Sequence, residues 1–178
     1  LSIRRQRQMC IRDRGCIESV DPDPDAALAG LCEVLNADSA EVAKWVSDGA
    51  LLQTAFTLMA TSTAFVGLLR RHPEVLPQIH EHATELSAAS AIEARLQHAI
   101  DGAPAGSEEA ISALRVQYLV EVAKIALYDI RLPEPAVSIQ RIGKVLADLA
   151  DAAMRAALEV AKAQVVAAEP GFGRCSQE

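Results

Sequence analysis

Residues 107–168 place apolar side chains three and four positions apart almost without a break, and this spacing constrains the fold more than any other feature. Ser107, Glu108 and Glu109 open the run with a side-chain cap and carboxylates at the positive end of a helix dipole. Ile111, Leu114, Tyr118, Val122 and Ile125 then form a stripe that predicts a helix to residue 129. Leu132-Pro133-Glu134-Pro135 stops it, because proline lacks an N–H and drives the residue before it out of the α region. A longer helix is predicted over residues 137–168, with Ile142, Leu146, Leu149, Ala153, Ala156 and Val160 as its stripe. Its many alanines let a neighbouring helix approach closely. Pro170-Gly171 ends it. Composition agrees: 51% of residues are hydrophobic but only 3% aromatic, which favours closely packed helices over a β-sandwich rich in Val, Ile, Tyr and Phe. At 178 residues the chain can bury a sizeable core. An all-α, bundle-like fold is the expectation, with no convincing strand and no internal repeat.

The first half reads as shorter helices. Asp21-Pro22-Asp23-Pro24-Asp25 suits a helix start, and Leu28, Leu31 and Leu35 follow at helical spacing. Ser39 caps a short helix through Val46, and Ser47-Asp48-Gly49 punctuates the chain again. Residues 50–69 hold twenty positions without a charge, so a membrane span has to be weighed. Gln53, Thr54, Thr57, Thr61, Ser62 and Thr63 make that stretch poor membrane material. Thr61-Ser62-Thr63 reads instead as the end of one soluble helix and the cap of the next. Leu51, Leu52, Ala55, Phe56, Met59, Phe65, Val66 and Leu69 then face a core. His72-Pro73 ends that helix, another begins near Pro73, and a further one is predicted over residues 84–100 with Leu86, Ile92, Leu96 and Ile100 as its apolar face. Residues 101–106 are the clearest loop.

Charge and cysteine usage narrow the function classes. A net charge of −7 does not indicate a nucleic-acid-binding surface. Cys10, Cys16, Cys32 and Cys175 form no CxxC pair, and no secretory signal is evident. Free thiols in a reducing cytoplasm are expected. Residues 1–14 differ abruptly from the rest, with five arginines and one acid; without them the net charge is −11. Their string resembles translated sequencing-adapter read-through, and the expectation is that they are foreign to the fold. The competing reading, a basic arm, lacks aromatic interleaving and has an acidic body behind it.

No spacing in the chain assembles a catalytic site. His80-Glu81-His82 places two imidazoles two residues apart, which point in different directions on a helix and cannot chelate as an i, i+4 pair does. The aspartates at 21, 23 and 25 lack the glycine and distal glutamate of a calcium loop. Gly171-Phe172-Gly173 follows a helix rather than a strand, unlike a dinucleotide fingerprint. Serines, histidines and carboxylates show no triad spacing. Glu121 and Lys124, three apart, read as a modest surface pair, and Asp148 and Asp151 as solvated helix charges.

Three blocks carry a family resemblance. Leu114, Arg115, Tyr118, Glu121, Ile125, Ala126 and Asp129 match, without a gap, the pattern Leu-Arg-Arg-x-Tyr/Phe-Arg-Arg-Glu-x-x-Arg-Ile-Ala-x-x-Asp-Leu, with Lys124 and Ile130 as near matches. Residues 146–152 resemble Leu-x-x-Leu-Ala-Asp-Ala, with Leu149 and Asp151 in register. Leu69-Arg70-Arg71-His72-Pro73-Glu74 resembles Leu-x-Arg-His-Pro-Glu, at a suitable distance from Asp21-Pro22-Asp23. In this order, over residues 17–168, the blocks resemble the helical stretch ahead of the first catalytic centre of bifunctional glutamine synthetase adenylyltransferase/adenylyl-removing enzymes.

The resemblance implies a division of the chain and a function for its parent. Residues 15–106 would be an N-terminal helical region. Residues 107–169 would be two long helices preceding a nucleotidyltransferase domain that is not present, and residues 170–178 a truncated tail. The parent would add AMP to a tyrosine of glutamine synthetase from ATP and remove it by phosphorolysis, releasing ADP, under control of a PII-type signalling protein in the cytoplasm. A Gly-Gly/Ser turn and an Asp-x-Asp strand would hold Mg2+ on the phosphates. That strand is missing here, so the resemblance implies no catalytic, cofactor-binding or metal-binding residue in this chain, and no nucleic-acid or membrane partner. It implies structural roles for Arg71, His72, Pro73, Glu74, Arg115, Tyr118, Glu121, Ile125, Asp129, Leu149 and Asp151. Val116, Leu119, Val120 and Tyr128 depart from the family pattern, which weakens any basic, phosphate-facing role for that helix face. A free-standing α-helical interaction module is the other reading of the same helices.

Overall fold

The computed structural model describes residues 24–36, 40–132 and 135–168. Eight α-helices and no strand make up these residues: α1 Pro24–Leu35, α2 Ala40–Ser47, α3 Gly49–Thr61, α4 Thr63–Arg71, α5 Leu76–Glu81, α6 Ala89–Asp101, α7 Glu108–Ile130 and α8 Pro135–Ala168. The expected all-α fold is the observed one. None of these helices is long and apolar enough to cross a membrane. The expected adapter-like segment, Asp21 and Asp23, the Ser39 cap and the tail beyond residue 168 lie outside the described residues.

The punctuation in the sequence acts through explicit caps. Asp48 accepts from the backbone N–H groups of Ala50 and Leu51 at the start of α3. Ser62 closes α3 by donating its backbone N–H to Leu58 and opens α4 by accepting from Ala64. The uncharged stretch is therefore two short helices, each too short to span a bilayer. His72 ends α4, and Pro73–Val75 forms a 3-10 turn leading into α5. Ser107 accepts from the N–H of Ala110 to start α7. Glu109 in the same turn is held below the ordinary carboxylate range by its own backbone N–H and by the Ser107 hydroxyl.

Two apolar clusters share one wall. The first gathers α1–α5 around Trp45, Leu58, Met59, Leu68, Leu69, Leu76 and Ile79, and one side of α7 closes it with Val120, Ala123 and Leu127. The second lies among α6, α7 and α8, with Ile92, Leu96, Ile125, Leu149, Ala152 and Ala156 at its centre. From Val120 to Leu127, α7 is buried between the two. A helix that is apolar on most sides belongs in such a position, since no face of it gains by meeting water.

Four expectations need correction. In α1 the residues that turn inward are Ala27, Gly30 and Val34, with Leu31 beside them, while Leu28 and Leu35 are exposed. Gly30 decides this, since a Cβ there would stand 2.8 Å from Val66 Cγ2 and 3.2 Å from Met59 Cβ, so α1 lies close against α3 and α4. The helix expected from residue 84 starts at Ala89, because Ser87 instead accepts a hydrogen bond from Arg95 and Leu86 packs from the preceding loop. The expected stripe on α7 is only one of its two inner faces, and Tyr118, placed in that stripe, is 38% exposed. On α8, Leu146 is 42% exposed, and Val145 and Ala152 are buried in its stead.

Candidate functional site

Glu121 and Lys124 form the one buried ionic centre among the described residues. Their side chains are 2% and 4% exposed, so the expected surface pair is in fact a core pair. Lys124 Nζ donates to Glu121 Oε1 at 3.0 Å. From α6, Arg95 donates through Nε to Oε1 at 2.8 Å and through an Nη to Oε2 at 2.7 Å, a bidentate fork across the helix interface. Gln117 Nε2 adds a donor at 2.9 Å, and Arg95 also reaches the Ser87 hydroxyl at 2.7 Å. Each carboxylate oxygen thus has a charged donor. Burial pushes the Glu121 carboxyl up, but Arg95 and Lys124 outweigh it and hold the group below its ordinary value. Burial depresses Lys124, the Glu121 charge opposes that, and the Arg95 charge adds to it. This network fixes α6 against α7.

The remaining family-pattern residues occupy several places. Ile125 and Leu149 meet in the second cluster, as their mid-stripe positions suggest. Arg115 and Tyr118 line a groove of about 630 Å3 between α7 and α8, walled also by Leu114, Leu119, Ala157 and Ala161. In the His-Pro-Glu block, Pro73 is buried, His72 Nδ1 lies 3.2 Å from Glu74 Oε1, and Arg71 and Glu74 are exposed. His72 also borders a shallow cleft with Glu109, Ser112 and Gln117. Asp129 is half-buried and Asp151 exposed. Arg115, Glu121 and Asp129 are thus spread along α7 and do not converge.

Several polar contacts have no signal in local spacing. Arg95 joins Glu121 from 26 residues away. His80 Nδ1 lies 2.7 Å from the buried Thr54 hydroxyl, which also donates to the Ala50 carbonyl and takes a long 3.5 Å bond from Arg131. The histidine pair is divided in the process, since His82 is exposed. Among the described residues, no three His, Cys, Asp or Glu side chains stand close enough to hold a metal ion. Asp148 is paired with Lys144 at 2.6 Å. Among the described residues the donor set does not fit a magnesium–phosphate site; the chemistry around Glu121 is that of helix-to-helix attachment.

Comparison with known proteins gives this architecture a family. The profile of the glutamate-ammonia ligase adenylyltransferase family matches residues 52–176. The bifunctional glutamine synthetase adenylyltransferase/adenylyl-removing enzyme of Leifsonia xyli subsp. xyli is 28% identical over 153 residues, covering 84% of this chain and 15% of that protein. The protein of the same name from Bifidobacterium longum subsp. infantis is 30% identical over 158 residues, covering 79% of this chain and 14% of its own length. The chain therefore spans about 15% and 14% of these curated relatives. No solved structure matches it. The profile covers both long helices, the buried ion network and the groove, and on that match the chain belongs to the glutamate-ammonia ligase adenylyltransferase family.

Proposed function

We propose that this chain is a helical lead-in segment of an enzyme that adds AMP to, and removes it from, a tyrosine of glutamine synthetase. The observation that carries the reading is the family match over residues 52–176, coming from relatives of which this chain spans only about a seventh. In the proposed parent, ATP, ADP and Mg2+ act in a nucleotidyltransferase domain outside this chain, in the cytoplasm, with glutamine synthetase as substrate and a PII-type protein as regulator. The role left to these helices is to position that domain. Phosphoryl-type transfer needs charge-neutralising groups at fixed positions on the phosphates, and positioning of those groups supplies most of the rate. The network around Glu121 is suited to rigidity of this kind, because a bidentate arginine allows one register between α6 and α7.

The direct test incubates the purified 178-residue chain with AMP-modified glutamine synthetase, Mg2+ and phosphate, and follows ADP. The expected turnover equals the no-protein blank. The full-length polypeptide in the same assay is expected to release ADP, and a silent full-length protein would refute the reading. Turnover by the short chain would refute its role as a non-catalytic lead-in.

A further inference from the structure

On a wheel of 3.6 residues per turn, every charged side chain of α8, from Arg141 to Lys162, falls within one strip of about 80°. The buried side occupies the sector next to it. The rest of the circumference carries no charge from end to end, and it is exposed: Ile139, Leu146, Met154, Leu158 and Val165 lie there, Met154 at 63%. From Ile139 to Val165 this face runs about 39 Å. Surface helices normally turn charges outward, and an uncharged, largely apolar face of this length, broken only by Gln140 and Gln164 near its ends, marks an interaction surface. It continues into the groove between α7 and α8, whose α8 wall carries Ala153, Ala157 and Ala161 beside Val160 and Gln164. Arg115 on the α7 wall is the one charged side chain lining that groove.

We propose that this face and groove form an internal seam of the parent polypeptide, closed by an amphipathic helix from outside this chain that brings an apolar side and a carboxylate to Arg115. The inference rests on the lead-in reading above. A helix is the occupant that fits, because two helices already form the walls and the alanines set a spacing that admits a third. Its source follows from coverage: about six-sevenths of each relative lies beyond the region this chain matches. A second copy fits less well, since the outer face of α8 offers no carboxylate to a partner's arginine.

Cysteine protection tests this. Met154→Cys and Leu158→Cys are placed singly in the 178-residue chain and in the full-length polypeptide, with Glu159→Cys on the charged strip as control. Maleimide labelling is mapped by peptide mass, which separates these sites from the native cysteines at 10, 16, 32 and 175. At positions 154 and 158, labelling at least tenfold slower in the full-length protein, with the control unchanged, is the expected result. Equal rates in the two proteins would overturn the seam. Concentration-dependent protection in the short chain alone, with a dimer in sedimentation, would overturn it in favour of a second copy. Arg115→Ala should raise the full-length rate at position 154 severalfold, and no change would remove the carboxylate from the proposal. Adenylyl transfer by the full-length protein is scored in parallel. Protection without activity refutes the enzymatic reading and leaves the seam, whereas activity without protection refutes the seam alone.

Discussion

At Glu121 one carboxylate neutralises two cations, and the buried one has no water to turn to. Glu121→Gln leaves Lys124 charged in the core with Arg95 nearby, so it should cost about 3–5 kcal/mol in a urea-unfolding series. Glu121→Leu combined with Lys124→Met should cost less than the single change, since no stranded charge remains in the core. Equal losses for both variants would show that burial of the pair is not the issue. The pH response has a definite sign. The folded carboxyl lies below its ordinary value of 4.5, so its contribution is complete above that value and is lost as pH falls through the lowered one. Lys124 is also depressed, so the penalty for keeping it charged is relieved as pH rises from its lowered value towards 10.5. Urea midpoints measured across the acid range should fall more steeply in the parent chain than in Glu121→Gln, and parallel curves would contradict the assignment. Sequence shows Glu121 and Lys124 three apart and nothing more. Local spacing carries no trace of Arg95, which meets them only because α6 and α7 pack side by side.

At the scale of helices, small residues govern where elements touch. Gly106 adopts φ +72°, and a Cβ there would stand 2.7 Å from the backbone nitrogen of Gln164, so the α6–α7 loop lies directly on α8. Gly106→Ala should cost at least about 1–2 kcal/mol from the left-handed conformation alone, with the contact to rigid backbone adding to it. A thermal midpoint within a degree of the parent would show that the loop shifts freely. Ile125→Ala and Leu149→Ala each open a cavity in the second cluster and should cost about 2–5 kcal/mol. An unchanged midpoint for either would mean that the two long helices are not packed through these residues. Helix existence and the main breaks were legible because Pro, Gly, Ser and Asp act through local backbone chemistry. The buried faces of α1 and α8 were less so. Reading stripes from the largest side chains selected Leu28, Leu35 and Leu146, whereas Ala27, Gly30 and Ala152 allow close approach and therefore point inward. On α7 the apolar residues surround the helix, and a single stripe hides the second face.

Across the whole molecule, the described residues form a helical frame of two apolar clusters around α7. The groove beside Arg115 could not be read from spacing, because its two walls come from different helices and only packing brings them together. The position of α7 between both apolar clusters has a further outcome that bears on how the frame comes apart. Neither cluster can open without exposing the same stretch, Val120 to Leu127, so the halves have no independent route to unfolding. Denaturation of this chain should then be one cooperative transition, with coincident curves from Trp45 fluorescence and from backbone circular dichroism. In native-state hydrogen exchange the backbone amides of residues 120–127 should be the last to trade protons with solvent, opening only with the whole molecule. A frame of that kind yields all at once or not at all, so strain applied at α8 is carried through α7 to Trp45 and its neighbours.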